Sequence, residues 1–193
     1  MNMFKEQLKD AICNDDIEFL ENNKAQYSID ERFPDEENDT LLMYSLCDAK
    51  SNSFRYLINN NADTTLENDE GENMIHCVVY SGKVDRMEGL LNLDNINHQT
   101  KQGVTPLLLA ILLDKYDIAH FLIQKGADVH LSDEEMNMPI HVACNAGNIE
   151  LVSVLIKMGV DLYSKTKKGN LPIAIAANKG HHDVVKLIYK NMY

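Results

Sequence analysis

The sequence predicts an all-α solenoid of stacked helix–turn–helix units with an N-terminal helical cap. Three observations carry this: anchors that return at a fixed interval, one stretch that reads as a complete unit, and a composition suited to small aliphatic contacts. Pro139 lies 33 residues after Pro106, and Pro172 lies another 33 on. In the other direction Met74 stands 32 residues before Pro106, and Leu41 stands 33 before that. The clearest unit, Gly103 to Asp128, runs turn, helix, reversal, second helix and glycine stop. Thr105 offers a hydroxyl to cap its first helix, and Pro106 sits at the first helical position, where a missing N–H is harmless. Leu107 to Leu113 form an apolar helix too short to cross a bilayer. Ile118, Ala119, Leu122 and Ile123 show helical spacing, and Gly126 fits a left-handed stop. Two such short helices cannot bury their apolar faces alone. With no tryptophan and 7% aromatic residues, Ala, Leu, Ile and Val must fill the spaces between units.

Around each anchor the same grammar returns: Thr40-Leu-Leu-Met43, Asn73-Met-Ile-His76, Thr105-Pro-Leu-Leu108, Met138-Pro-Ile-His141 and Leu171-Pro-Ile-Ala174. Five such units resemble the ankyrin-repeat family, with its T-P-L-H-x-A signature. Asn61-Ala-Asp63, Gly126-Ala-Asp128 and Gly159-Val-Asp161 stand where that family carries Gly-Ala-Asp, and Gly82, Gly147 and Gly180 precede the second helices. The resemblance implies a single domain over 1–193: cap and connection over 1–34, then repeats at about 35–67, 68–99, 100–132, 133–165 and 166–193. There are departures. Repeat one has Asn38 for the turn glycine, which tolerates positive φ, and Ala49 for the second, which does not. Repeat two is one residue short, at 92–97, and carries Gly89 inside its expected second helix. A mid-helix glycine costs roughly 1 kcal/mol against alanine, so repeat two is expected to be the softest joint.

In the cap, Leu8 and Ile12 share one helical face and Ile17 and Leu20 another, with Asp15 or Asp16 to cap the second helix. The register of this pair against the five repeats is open. Residues 22–39 read as a polar, acidic connection whose Tyr27, Ile29, Phe33 and Pro34 drape over the end of the stack. Tyr189, Met192 and Tyr193 are expected to cover the last face.

Residues 1–16 are charged throughout and contain no apolar run, which argues against a secretory signal. The expectation is a soluble, intracellular, cytoplasmic monomer, with the nucleus left open. The four cysteines form no C-x-x-C and have no zinc spacing, so buried reduced thiols are expected. The net charge of −12 is lopsided: residues 1–99 hold 8 Lys/Arg against 21 Asp/Glu, and residues 100–193 hold 10 against 9. An acidic field repels nucleic acid and anionic membrane and steers a basic protein partner.

The resemblance also implies where a partner is met: on a concave face made of turn tips and the exposed edges of the first helices. Carried over by position, the tips are Glu36, Glu37 and Asp39; Asp69, Glu70 and Glu72; Lys101, Gln102 and Val104; Glu134, Glu135 and Asn137; Lys167, Lys168 and Asn170. The helix positions are Cys47 and Asp48, Tyr80 and Ser81, Leu112 and Leu113, Asn145 and Ala146, Asn178 and Lys179. This surface is acidic over repeats one and two beside Tyr80, apolar at Leu112 and Leu113, and basic at the far end. A register shift would instead turn the two leucines into the core. His76 and His141 fall on the family's structural histidine, and His181 on its Gly-His position. No phosphate-cradling glycine loop and no calcium loop occurs, so no cofactor or metal is expected. The reading is a non-enzymatic module that binds another protein as inhibitor, adaptor or assembly chaperone. Two others stand beside it: a thiol enzyme or redox sensor using Cys77 or Cys47, and a structural array with no dedicated ligand.

Overall fold

The computed structural model describes residues 3–34, 37–46, 52–87, 90 and 95–192. The chain divides into two compact units, Met1–Leu90 and Leu91–Tyr193.

In the first unit, α1 (Met3–Asn14) buries Leu8 and Ile12 completely, as their spacing requires. Asp15 then takes a left-handed backbone (φ 61°) and Asp16 caps α2 (Ile17–Asn22), its Oδ1 accepting from the Phe19 amide at 2.9 Å. This settles the register left open by the sequence. Helix, left-handed residue, helix is the grammar of the later repeats, and Asp15 lies 67 residues before the left-handed Gly82, two repeat lengths and one residue over. The Asp15 carboxylate also accepts from the Ser53 amide (2.5 Å) and the Asn52 side chain (2.6 Å), capping α4 (Asn52–Asn59) from outside. A glycine there could not do so.

The stretch read as an irregular connection contains a tight antiparallel ladder. β1 (Arg32–Phe33) pairs with β2 (Asp39–Thr40), with Phe33 opposite Asp39. Phe33 is buried beside the Tyr44 ring, centroids 5.3 Å apart, and the Lys9 ammonium lies 5.1 Å from its centroid. That cation–π stacking anchors α1 to the hairpin. Thr40 caps α3 (Leu41–Tyr44) through the Met43 amide, and Asn73 caps α5 (Met74–Ser81). After Gly82 comes a 3-10 turn, Val84–Arg86, where a second helix was expected; Met87 and Leu90 lie in turns. Gly89, Ala49 and most of 92–97 lie outside the described residues. Arg86 and Lys83 donate to the carbonyls of Ser45 (3.0 Å) and Leu46 (2.8 Å), placing two cations at the C-terminal end of α3.

The second unit follows the predicted grammar closely. Its helices are α6 (Pro106–Leu112), α7 (Tyr116–Gln124), α8 (Pro139–Ala146), α9 (Ile149–Lys157), α10 (Pro172–Asn178) and α11 (His182–Met192). The first helix of each pair packs on the next, α6 on α8 and α8 on α10, while α9 packs on α11. Thr105 Oγ1 accepts from the Leu108 amide at 3.2 Å with Pro106 at the first helical position. Leu107 to Ile111, Ile118, Ala119 and Leu122 are buried. Gly180 recurs with positive φ, and Asp114 (φ 56°) replaces the glycine in repeat three. Tyr189, expected to help cover the last face, is 62% exposed; there the Tyr163 hydroxyl donates to the Met192 carbonyl at 3.0 Å. Tyr193 lies outside the described residues.

The turn tips are ordered by a device that the sequence reading passed over. Each tip is closed by one polar residue: Asn68, Thr100, Asp133 or Thr166. The Asn68 side-chain oxygen accepts from the amides of Glu70 and Glu72, Asp133 from Glu135 and Asn137, and Thr100 from Gln102 and Val104. Successive tips are joined by backbone bonds, Asp69 N–H to Glu37 O (2.7 Å), Glu134 N–H to Gln102 O (2.9 Å) and Lys167 N–H to Glu135 O (2.9 Å). Gly103 is needed for this approach. Its φ is +76°, and a Cβ there would sit 3.0 Å from the Glu134 nitrogen.

Candidate interaction surfaces

In the first unit the tip of repeat two and the edge of α5 bring together several of the predicted residues. The Asn68 amide nitrogen lies 3.1 Å from both Asp39 Oδ1 and Glu72 Oε2, bridging two carboxylates. Tyr80, 49% exposed, hydrogen-bonds with Glu72. Its pKa is pushed above the ordinary phenol value by burial, by that bond and by the charge of Glu72. Glu37, Asp69 and Glu70 are exposed around them. Glu36, Cys47 and Asp48 lie outside the described residues.

In the second unit a groove of about 340 Å³ opens between the tips and the first helices of repeats three to five. Of the predicted residues it unites Leu112, Glu135, Asn145 and Lys168, with Asn137 and Asn170 from the tips. Lys101, Gln102, Leu113, Glu134, Lys167 and Asn178 do not line it; each is exposed. Leu112 and Leu113 are 51% and 39% exposed, so the register shift that would have buried them does not occur. The groove adds Asp133, His141, Val142, Thr166 and Ile175, which the sequence reading did not assign to a surface. Asp133 and Thr166 could have been found from their constant place before each tip.

The histidines are structural, as their positions implied. His141 Nδ1 accepts from the Met138 amide at 3.1 Å, so Nε2 carries the proton and donates to the Ser164 carbonyl, also 3.1 Å away. Burial holds its pKa below the usual imidazole value, against the bond to Ser164 and the charges of Asp133 and Asp161. His181 Nε2 lies 3.1 Å from the Asn145 carbonyl. The thiols point the same way. Burial pushes Cys144 up to about 12, and burial with the charges of Asp39 and Glu72 pushes Cys77 up strongly. A nucleophilic thiol needs the opposite environment. Among the described residues, no group of three His, Cys, Asp or Glu side chains is placed to hold a metal ion, and no helix is long and apolar enough to cross a membrane.

A family model of ankyrin repeats in three copies matches residues 42–133 and 128–193. The chain belongs to the ankyrin-repeat family. NF-kappa-B inhibitor alpha of Gallus gallus is 26% identical over 140 residues, 62% of this chain and 43% of that protein. The probable 26S proteasome regulatory subunit p28 of Saccharomyces cerevisiae is 30% identical over 87 residues, 44% of this chain and 38% of that one. Phosphocholine transferase AnkX of Legionella pneumophila is 28% identical over 119 residues, 58% of this chain but 12% of the enzyme. The matched stretch thus spans less than half the length of each of these relatives. As an ankyrin-repeat chain, it is a protein–protein interaction module.

Proposed function

We propose that this chain binds the basic surface of another protein through the acidic tips of its first unit and, without catalysing a reaction, acts by occupying that surface as an inhibitor, adaptor or assembly chaperone. The observation that carries the reading is the Asn68 bridge between Asp39 and Glu72, set beside the exposed ring of Tyr80. Two carboxylates held at fixed separation next to an aromatic face offer an Arg or Lys both a charge partner and a cation–π contact. Tyrosine is also among the residues favoured at interface hot spots. One relative is named an inhibitor and another a regulatory subunit, which supports action by occupancy. Cys13, Cys77 and Cys144 are free thiols, which favours a reducing, cytoplasmic setting. A net charge of −12 favours a monomer.

Affinity capture from source-cell lysate tests this, with wild type beside a Glu37→Lys, Asp69→Lys, Glu70→Lys variant whose circular dichroism matches it. All three positions are exposed. A basic partner held by wild type and lost by the variant is the expected result. Equal retention of every partner removes the acidic tips as the site.

A further inference from the structure

The groove of the second unit differs in chemistry from the acidic tips. Its acidic side chains are already engaged. Asp133 accepts from the Glu135 and Asn137 amides and from the Asn137 side chain at 2.8–2.9 Å, and Glu135 pairs with Lys167 at 3.5 Å. Both ring nitrogens of His141 are taken, and Thr166 Oγ1 accepts from the Asn170 amide. Three exposed lining groups have no hydrogen bond or ion pair within the described chain: the side-chain amides of Asn145 and Asn170 and the ammonium of Lys168. Between them the lining is aliphatic: Leu112, Val142 and Ile175.

We infer that this groove is a second recognition site, for an extended acidic peptide segment of a partner. An aliphatic side chain of the segment is seated against Leu112, Val142 and Ile175, and a nearby carboxylate pairs with Lys168. The inference rests on the reading of the chain as a binding module, but not on the acidic tips. Each asparagine amide offers a donor and an acceptor together, the complement of one peptide group. An extended segment presents peptide groups for such pairing, whereas a helix has spent its own internally. The lysine sets the sign. With Asp133 and Glu135 committed within the chain, the uncompensated charge at the groove is positive, so the segment is acidic. A volume of about 340 Å³ lies within the range of ligand clefts, roughly 300–1,000 Å³, enough for one large aliphatic side chain and its flanking backbone.

The test is a solution NMR titration of the full, isotope-labelled chain with a pool of ten-residue peptides. Each peptide fixes one leucine and a glutamate two residues away, with Gly, Ser, Ala or Thr elsewhere; a control pool carries lysine for glutamate. The expected result is saturable shifts of the Asn145 and Asn170 side-chain amides and the Leu112 methyls with the acidic pool. Lys168→Glu should weaken that binding at least tenfold, and the Glu37→Lys, Asp69→Lys, Glu70→Lys variant should leave it unchanged. Lys168 is exposed, so its substitution leaves the fold in place. No saturable shift at these groups, equal binding of the lysine pool, or unchanged affinity in Lys168→Glu overturns the proposal. A helix-stapled acidic peptide that binds tighter than the extended pool overturns the extended geometry. Loss of basic-partner capture in the first-unit variant, with peptide binding intact, separates the fate of this proposal from that of the acidic tips.

Discussion

His141 shows how a residue can stand in a groove and still be a structural part. Its Nδ1 closes the start of α8 and its Nε2 holds the Ser164 carbonyl, a geometry that only the neutral ring satisfies. Because the folded pKa lies below the ordinary 6.5, the unfolded chain binds more protons between those two values. Stability from this group is therefore complete above about pH 6.5 and is lost as pH falls toward the folded pKa. His141→Gln keeps an acceptor at the same helical position, where glutamine serves in capping boxes, and does not titrate. The urea midpoint of wild type should fall further between pH 7.5 and 5.5 than that of His141→Gln. Parallel pH profiles for the two proteins would mean that His141 contributes nothing to acid sensitivity. Met136 makes the complementary point. It holds φ 60° and is half exposed at a tip position where the other repeats carry Asn38, Gly71, Gly103 and Gly169. No rule of periodicity or propensity assigns methionine a left-handed turn, so this residue was invisible in the sequence.

The helical pair is the level at which the sequence was most legible, because each pair repeats one set of local signals. Thr105, Pro106 and Gly126 act as their residue types predict, and the apolar spacing of α6 and α7 matches the buried set. The two-residue ladder around Phe33 was not legible, since a strand of two residues has no period to read. Nor was the groove, because its lining comes from three repeats and includes residues such as Val142 whose spacing marks them as core. Contacts between repeats can nevertheless be tested one turn at a time. At Gly147 (φ +75°) a Cβ would lie 2.5 Å from the His181 ring, while at Gly159 (φ +80°) nothing lies within 4 Å. Gly159→Ala should cost about 1–2 kcal/mol for left-handed backbone alone. Gly147→Ala should cost that and about 1 kcal/mol more, because the displaced ring gives up its bond to the Asn145 carbonyl. Equal losses in chemical denaturation would mean that the His181 contact adds no stability.

Across the whole molecule the charge is the property that no single repeat displays. Residues 1–99 carry 13 more acidic than basic side chains, and residues 100–193 carry one more basic than acidic. Such a field acts on encounter more than on the lifetime of a complex, since steering works over distances that contacts do not reach. Salt shortens that reach: the Debye length falls from about 30 Å at 0.01 M to about 8 Å at 0.15 M. Association with a basic partner at the first unit should therefore slow at least tenfold over that range, while dissociation changes little. An acidic peptide in the second unit should behave differently. Its one new ion pair, at Lys168, forms at short range and in a sequence half close to neutral, so its association should change less than threefold. Stopped-flow measurement of both rates at a series of salt concentrations distinguishes the two. If both associations slow equally, one shared long-range field governs them and the division into two recognition chemistries fails. If only the basic partner responds, the lopsided charge serves to select and capture it, and the groove selects by shape and hydrogen bonding.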